Sequence, residues 1–232
     1  MTLSILCVTD GKLHAFYFLN EMSLLAKRLE CEFIVGDDQF KSEEDRKNLK
    51  MNGFILSGEC KFVMLPPHKV GLQECVLDEA VRACSGDYIL RLDDDEKVSP
   101  ALESWLMTKQ YETGNLFAFP RVYMYPDTKH VLCNEGIFPD LQTRLGKKEL
   151  MFGVNHIHAG NPNGTGVIIN KAIEHHKLII KTLDERREIK ERYDAIRPGA
   201  GSDPHFAQFN TPEEVFSQLE VREYKDGNYG DR

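Results

Sequence analysis

Four consecutive carboxylates, Asp93-Asp94-Asp95-Glu96, follow the apolar run Tyr88-Ile89-Leu90, and no other stretch of the chain concentrates as much chemical capacity. Like charges this close raise one another's pKa, so a site that keeps them ionised needs a counter-charge such as a divalent cation. On an extended chain Asp93 and Asp95 fall on one side and Asp94 on the other. Hard oxygen donors select magnesium, manganese or calcium, and magnesium is usually held by one or two carboxylates while water and substrate phosphates complete its shell. The competing reading is a solvated acidic turn capping a helix that begins near Ser99-Pro100.

The elements around this stretch decide between the two. Leu3 to Val8 is a short apolar run of strand type that stops at Thr9-Asp10-Gly11, and from Leu13 to Leu29 the apolar residues recur at helical spacing. Glu32 to Asp38 is a second strand ending in carboxylates, which makes a strand-helix-strand crossover. Such units are parallel and right-handed, and ligands collect outside the carboxyl ends of their strands. Phe54-Ile55-Leu56 and Lys61 to Leu65 read as further strands, the charged run Lys41 to Lys50 as a solvated segment, and Gly71 to Cys84 as a helix leading into the acidic strand. Three strand ends bearing carboxylates (Asp10, Asp37 with Asp38, Asp93 with Asp95) therefore converge on one edge. Beyond them the pattern predicts a helix after Pro100 with Trp105 in the core, strands at 116–120, 121–125 and 141–145, a strand near His156-Ile157-His158, and a charged helix from Leu183 to Arg192.

Composition narrows the class. The chain has 232 residues, 41% hydrophobic and 28% charged, an ordinary globular mix. Its net charge of -8, without a basic cluster, argues against nucleic acid as a partner. The six cysteines are scattered with no C-x-x-C pair, which reads as reduced thiols of a cytoplasmic protein. No apolar run reaches membrane-spanning length, and the N-terminus enters a strand pattern without a charged leader region. One domain over 1–197 is expected, followed by a weakly packed tail over 198–232 with a short helix near Glu213 to Glu220.

In order, Leu3 to Thr9, Ile34-Val35-Gly36-Asp37-Asp38, Gly86 to Glu96 and Phe138-Pro139-Asp140-Leu141-Gln142-Thr143-Arg144-Leu145 resemble the family 2 type glycosyltransferases of the GT-A fold. The resemblance covers about residues 3 to 193 and implies an α/β fold, a mostly parallel Rossmann-like sheet with helices on both faces. It implies a manganese or magnesium ion, a UDP- or GDP-type nucleotide sugar as donor, and a glycan, lipid-linked or protein acceptor, with hexosyl transfer of inverting type. Residue by residue, Thr9 and Asp37 or Asp38 would contact the nucleoside, Asp93 the ribose or metal, and Asp95 the metal. Asp10, Arg91 and Asp94 complete the expected donor-binding set. His175, ahead of the charged helix, would meet the same metal or the donor diphosphate.

An inverting transferase needs a base for the acceptor hydroxyl, and Asp140 and Glu135 are the candidates. Relatives with the P-D-x-Q-x-R-L run often place a His-Glu pair beyond it, where this chain has His156-Ile157-His158. Arg144, Lys147 and Lys148 are further cations for phosphate, although as surface groups they have a stronger solvated reading. Two other classes stay open: a metal-dependent nucleotidyl- or phosphoryl-transfer enzyme, weakened by the lack of an N-terminal Gly-rich phosphate loop, and a binding module that holds a sugar nucleotide or glycan without turnover.

Overall fold

The computed structural model describes residues 1–38, 60–66, 73–133, 138, 140–153, 161–200 and 220–226. The strand expected at Phe54-Ile55-Leu56, the charged run from Lys41, Glu135, the His156-Ile157-His158 segment and all but the last residue of the tail helix lie outside them.

Strand β1 (Leu3–Thr9) is buried along its whole length, as an apolar run covered on both faces must be. Helix α1 (Ala15–Arg28) buries Phe18, Leu19, Met22, Leu25 and Ala26 against the sheet, at the spacing the sequence displays. Each such Leu or Phe stabilises by roughly 1.5–3 kcal/mol when fully buried. β2 (Glu32–Asp37) and β4 (Tyr88–Asp93) then pair in parallel on either side of β1, with Thr9 opposite Asp37 and Val8 opposite Asp93. Gly86 makes the second pairing possible: a Cβ there would stand 2.7 Å from the Ser4 backbone nitrogen.

Beyond β3 (Lys61–Met64) the expected long helix is broken. Gln73–Cys75 form a separate 3₁₀ turn, Val76 leaves the helical region, and α2 runs only over Leu77–Ala83. β5 (Glu96–Val98) and α3 (Pro100–Met107) follow, the helix capped by the Ser99 hydroxyl, which accepts from the Leu102 amide at 3.2 Å. Trp105 is core, as expected, packed edge-on against Phe117 and Phe119. The two strands read across Pro120 are one, β6 (Leu116–Tyr123). β7 (His130–Leu132), β8 (Asp140–Lys147), β9 (Val167–Ile168), β10 (Ile173–His175), α4 (Lys177–Ile180) and α5 (Leu183–Ile196) complete the body, α5 opening on a Thr182–Glu185 capping box.

Among the described residues the main sheet has the order β3-β2-β1-β4-β8-β6-β10-β5, with β9 on β6. Most pairings are parallel, with β8 antiparallel to both β4 and β6 and β5 antiparallel to β10. One core lies under α1 and α3, and a second on the opposite face under α2. The fold is the expected α/β, Rossmann-like arrangement. The tail contributes more than expected, since β11 (Val221–Glu223) pairs with β7 and Asp226 accepts from the Ala101 amide at 2.7 Å.

Candidate active site

The acidic stretch does not run extended to its end. β4 carries Asp93, the chain turns at Asp94 and Asp95, and Glu96 opens β5. The turn breaks the strict alternation expected of Asp93 and Asp95, so the three aspartates face different partners. Most of this is inside the protein: Asp94, Asp95 and Glu96 are 6%, 4% and 0% exposed, and Asp93 is half-buried. The solvated-turn reading is thereby excluded.

On one face, Asp93 and Glu96 meet arginines. Arg144 of β8, 1% exposed, donates through Nη1 to Asp93 Oδ1 at 3.2 Å and through Nη2 to the second Asp93 oxygen and to Glu96 Oε1, the latter at 2.6 Å. Arg121 of β6 adds a bond to Glu96 at 3.3 Å and another from Nε to Asp140 Oδ2 at 2.7 Å. The Tyr123 hydroxyl also donates to Asp140 Oδ2, at 2.9 Å, and Gln142 Nε2 to Oδ1 at 2.6 Å. Asp140, read as a candidate base, is therefore the first residue of a strand and is held by Arg121, Tyr123 and Gln142. Burial pushes the Asp93 carboxyl up, but the guanidiniums of Arg144, Arg91 and Arg121 outweigh it and hold the group well below the usual carboxylate range.

The other centre lies at the strand ends. Thr9, fully buried, donates to Asp94 Oδ2 at 2.7 Å and accepts from the Gly11 amide at 3.0 Å. Its hydroxyl is thus committed to the acidic turn, where the resemblance placed it on the nucleoside. Burial, with Asp10 and Asp95 nearby, pushes Asp94 up to about 7 against the pull of Lys181. Asp95 lies 3.1 Å from His175 Nε2 and 2.6 Å from the Lys181 ammonium. Burial raises Asp95, yet Lys181 and His175 bring it well below its ordinary value. His175 itself is pushed down to about 4, by burial first, and is neutral at pH 7. Its Nδ1 is buried without a hydrogen bond to any described residue. β10 sets this geometry by pairing His175 with Glu96 of β5 and Tyr123 of β6, and the Tyr123 ring lies 4.8 Å from the imidazole. Tyr123 therefore touches both centres.

The remaining expected residues are dispersed. Asp10 accepts from the Lys12 amide at 3.2 Å, Asp38 is 4% exposed with its amide on the Thr9 carbonyl, and Asp37 ends β2. Arg91 lies on β4 in the same pleat as Asp93. Lys147 pairs with Tyr88 at the far end of β4, and the Lys148 ammonium donates to the Arg82 carbonyl at 3.3 Å. Neither lysine approaches the acidic turn. Arg144, read as a surface cation, is instead central. Lys181, Arg121 and Tyr123 were not singled out at all: Lys181 stands in a short apolar helix end with no motif to mark it, and Arg121 opens what read as an ordinary strand.

As a metal site the described residues divide. Asp95 with a neutral His175 is a plausible donor pair for manganese, needing oxygens from a substrate diphosphate to complete a shell. Asp93 does not join them, since its carboxylate is held by Arg144. Among the described residues no group of three or more His, Cys, Asp or Glu side chains converges as a complete cage. No described helix is long and apolar enough to cross a membrane, and no described cysteine is in a disulfide.

No family model matches the sequence, and a search of curated proteins returns no match. Solved structures do match the fold. The Pyrobaculum calidifontis mannosyltransferase PcManGT, in complex with GDP-Man and Mn2+, aligns at a TM-score of 0.54 with 10% identity over 90% of this chain and 68% of that one. S. aureus TarS 1–349 aligns at 0.51 with 12% identity over 94% of this chain and 73% of that one. At these identities the likeness is one of fold. The sheet order and these two alignments together give the chain the same kind of Rossmann-like α/β fold as those two structures.

Proposed function

We propose that the chain is a glycosyltransferase that moves a sugar from a nucleotide-diphosphate donor to a hydroxyl acceptor, using manganese or magnesium. The observation that carries this reading is the buried strand-end centre, where Asp94 and Asp95 are met by Thr9, a neutral His175 and Lys181 at the carboxyl ends of β1 and β4. The Lys181 ammonium in that place suits a diphosphate oxygen, and the carboxylate–imidazole pair suits a divalent ion that would carry the rest of the diphosphate charge. In this reading Asp95 and His175 hold the ion. When bound, the ion stabilises negative charge on the leaving diphosphate.

The chain's own residues supply the rest. Lys181 neutralises diphosphate oxygens, and Asp37 or Asp38 accepts hydrogen bonds from the nucleoside at the end of β2. Asp140 takes the proton from the acceptor hydroxyl as its oxygen attacks the anomeric carbon and the nucleoside diphosphate leaves, inverting that carbon. Arg121, Tyr123 and Gln142 orient the Asp140 carboxylate for this step.

The test mixes the protein with manganese and a panel of UDP- and GDP-sugars, with and without glycan acceptors, and measures the released phosphate species. Nucleoside diphosphate release that depends on acceptor is expected. Pyrophosphate release would favour nucleotidyl transfer, and nucleotide-sugar binding without any release would favour a binding module.

A further inference from the structure

β4 is buried at four of its six positions, and the two half-buried ones are Arg91 and Asp93, two residues apart on one pleat. Their partners differ sharply. Asp93 is clamped by Arg144, whereas Arg91 makes no hydrogen bond or ion pair with any described residue, and its Nε is buried without an acceptor. Its neighbourhood is mixed: the β4–β8 register that sets Leu90 against Leu145 brings Arg144, another cation, beside it, while the carboxylates of Asp93, Glu96 and Glu74 attract it without bonding to it. A half-buried guanidinium that bonds to none of the described residues, with a like charge beside it, is costly, and such groups persist where a ligand supplies what the protein does not.

The 3₁₀ turn Gln73–Cys75 lies over the same face. Gln73 Nε2 donates to the Val8 carbonyl at 3.2 Å, and Val8 is the β1 partner of Asp93. That anchor brings Glu74 within electrostatic reach of Arg91 and Asp93, although no hydrogen bond or ion pair joins Glu74 to either. Arg91 and Glu74 thus face a common region as a donor group and an acceptor group, each half-buried and neither engaged by the other.

We propose that Arg91 and Glu74 form a sugar-recognition subsite that holds hydroxyls of the donor's transferred sugar, the carboxylate accepting from one hydroxyl and the guanidinium donating to a neighbouring oxygen. A neutral polyol fits the pair better than an anion, since Glu74 would repel an added carboxylate or phosphate. The donor is the argued occupant because Arg91 is one pleat step along β4 from the acidic turn, so a group bound there adjoins the charged end of the donor. The inference rests on the glycosyltransferase reading and adds the residues that distinguish a nucleotide sugar from a bare nucleotide.

Calorimetry of the full chain with manganese and UDP, GDP, UDP-glucose and GDP-mannose tests it in the wild type, Arg91→Met and Glu74→Gln. Both variants are expected to weaken the nucleotide sugar about tenfold or more while the matching nucleoside diphosphate changes less than about twofold. Arg91→Met should melt near the wild-type temperature, since Arg91 makes no hydrogen bond or ion pair with any described residue and Asp93 keeps Arg144. Equal loss for nucleotide and nucleotide sugar would put phosphate on Arg91 and overturn the subsite. Unchanged affinities, or a lowered melting temperature with the sugar preference intact, would also overturn it by making Arg91 structural. Should Arg91→Met fail to fold, Glu74→Gln alone decides by the same ratio. No nucleotide binding to the wild type at all would instead remove the parent reading, and this one with it.

Discussion

The two ends of one acidic stretch have been given opposite kinds of counter-charge. Asp93 and Glu96 are held by Arg144 and Arg121, permanently charged forks that match carboxylates two bonds at a time. Asp94 and Asp95 are met by a hydroxyl, an imidazole and an ammonium, groups that can rotate, release a proton or be displaced. The difference teaches which half is frame and which is workplace. A diphosphate or a divalent ion can compete with Lys181 for Asp95, but nothing small competes with two arginines for Glu96.

The largest effect should come from breaking the frame. Arg144→Met leaves Asp93 and the buried Glu96 to Arg121 alone, and losing one partner of a buried pair costs about 3–5 kcal/mol. Urea unfolding followed by circular dichroism measures it; a loss below about 1 kcal/mol would mean the arginine clamp is dispensable and the contrast false. Next comes the workplace. Asp95→Asn should lower transfer about 100- to 1,000-fold, the scale of losing one preorganised charge-stabilising contact, at a smaller stability cost than Arg144→Met. Transfer that survives in Asp95→Asn, with its manganese response unchanged, would take the ion away from Asp95.

Asp140 sharpens the comparison because it belongs to the frame yet is asked to do chemistry. Asp140→Asn should keep nucleotide-sugar affinity and lose transfer by about a hundredfold. Wild-type turnover in this variant would leave Asp140 as a purely structural acceptor for Arg121 and Tyr123. Glu135→Gln is the companion variant, and its activity loss alone would move the base there.

The smallest predicted effect is a pH signature of the workplace. Burial, and then Lys181, push Lys177 down to about 7 from its ordinary value near 10.5. Between those values the unfolded chain binds a proton there that the folded chain does not, so Lys177 makes stability rise with pH from about 7 toward 10.5. Lys177→Met should therefore gain about 1–2 kcal/mol at pH 7 and progressively less at pH 9, the order expected for removing an ammonium whose charge burial disfavours. Urea midpoints of both proteins at the two pH values give the comparison, and parallel curves would show that Lys177 keeps its proton in the fold.

Much of this architecture was legible beforehand. The period-two and helical patterns located β1, α1, β2 and the acidic strand within a residue or two, because those elements bury their apolar residues over consecutive local spacings. The core position of Trp105 followed from the same local rules. The break at Val76 was missed, since the apolar spacing through 72–83 continues across it while Gln73 is drawn to β1 by a bond 65 residues away in sequence.

Sequence alone determined that four carboxylates stand at the end of a buried strand, on the edge where such a sheet gathers ligands. Which cation each of them meets was decided only by the tertiary structure. Arg144 reaches Asp93 across 51 residues and Lys181 reaches Asp95 across 86, distances over which no pattern of local spacing operates. The physical reason is the register. Pairing β8 against β4, and β10 against β5, places a given side chain on a given pleat, and a one-residue slip of either strand would turn every partner to the opposite face.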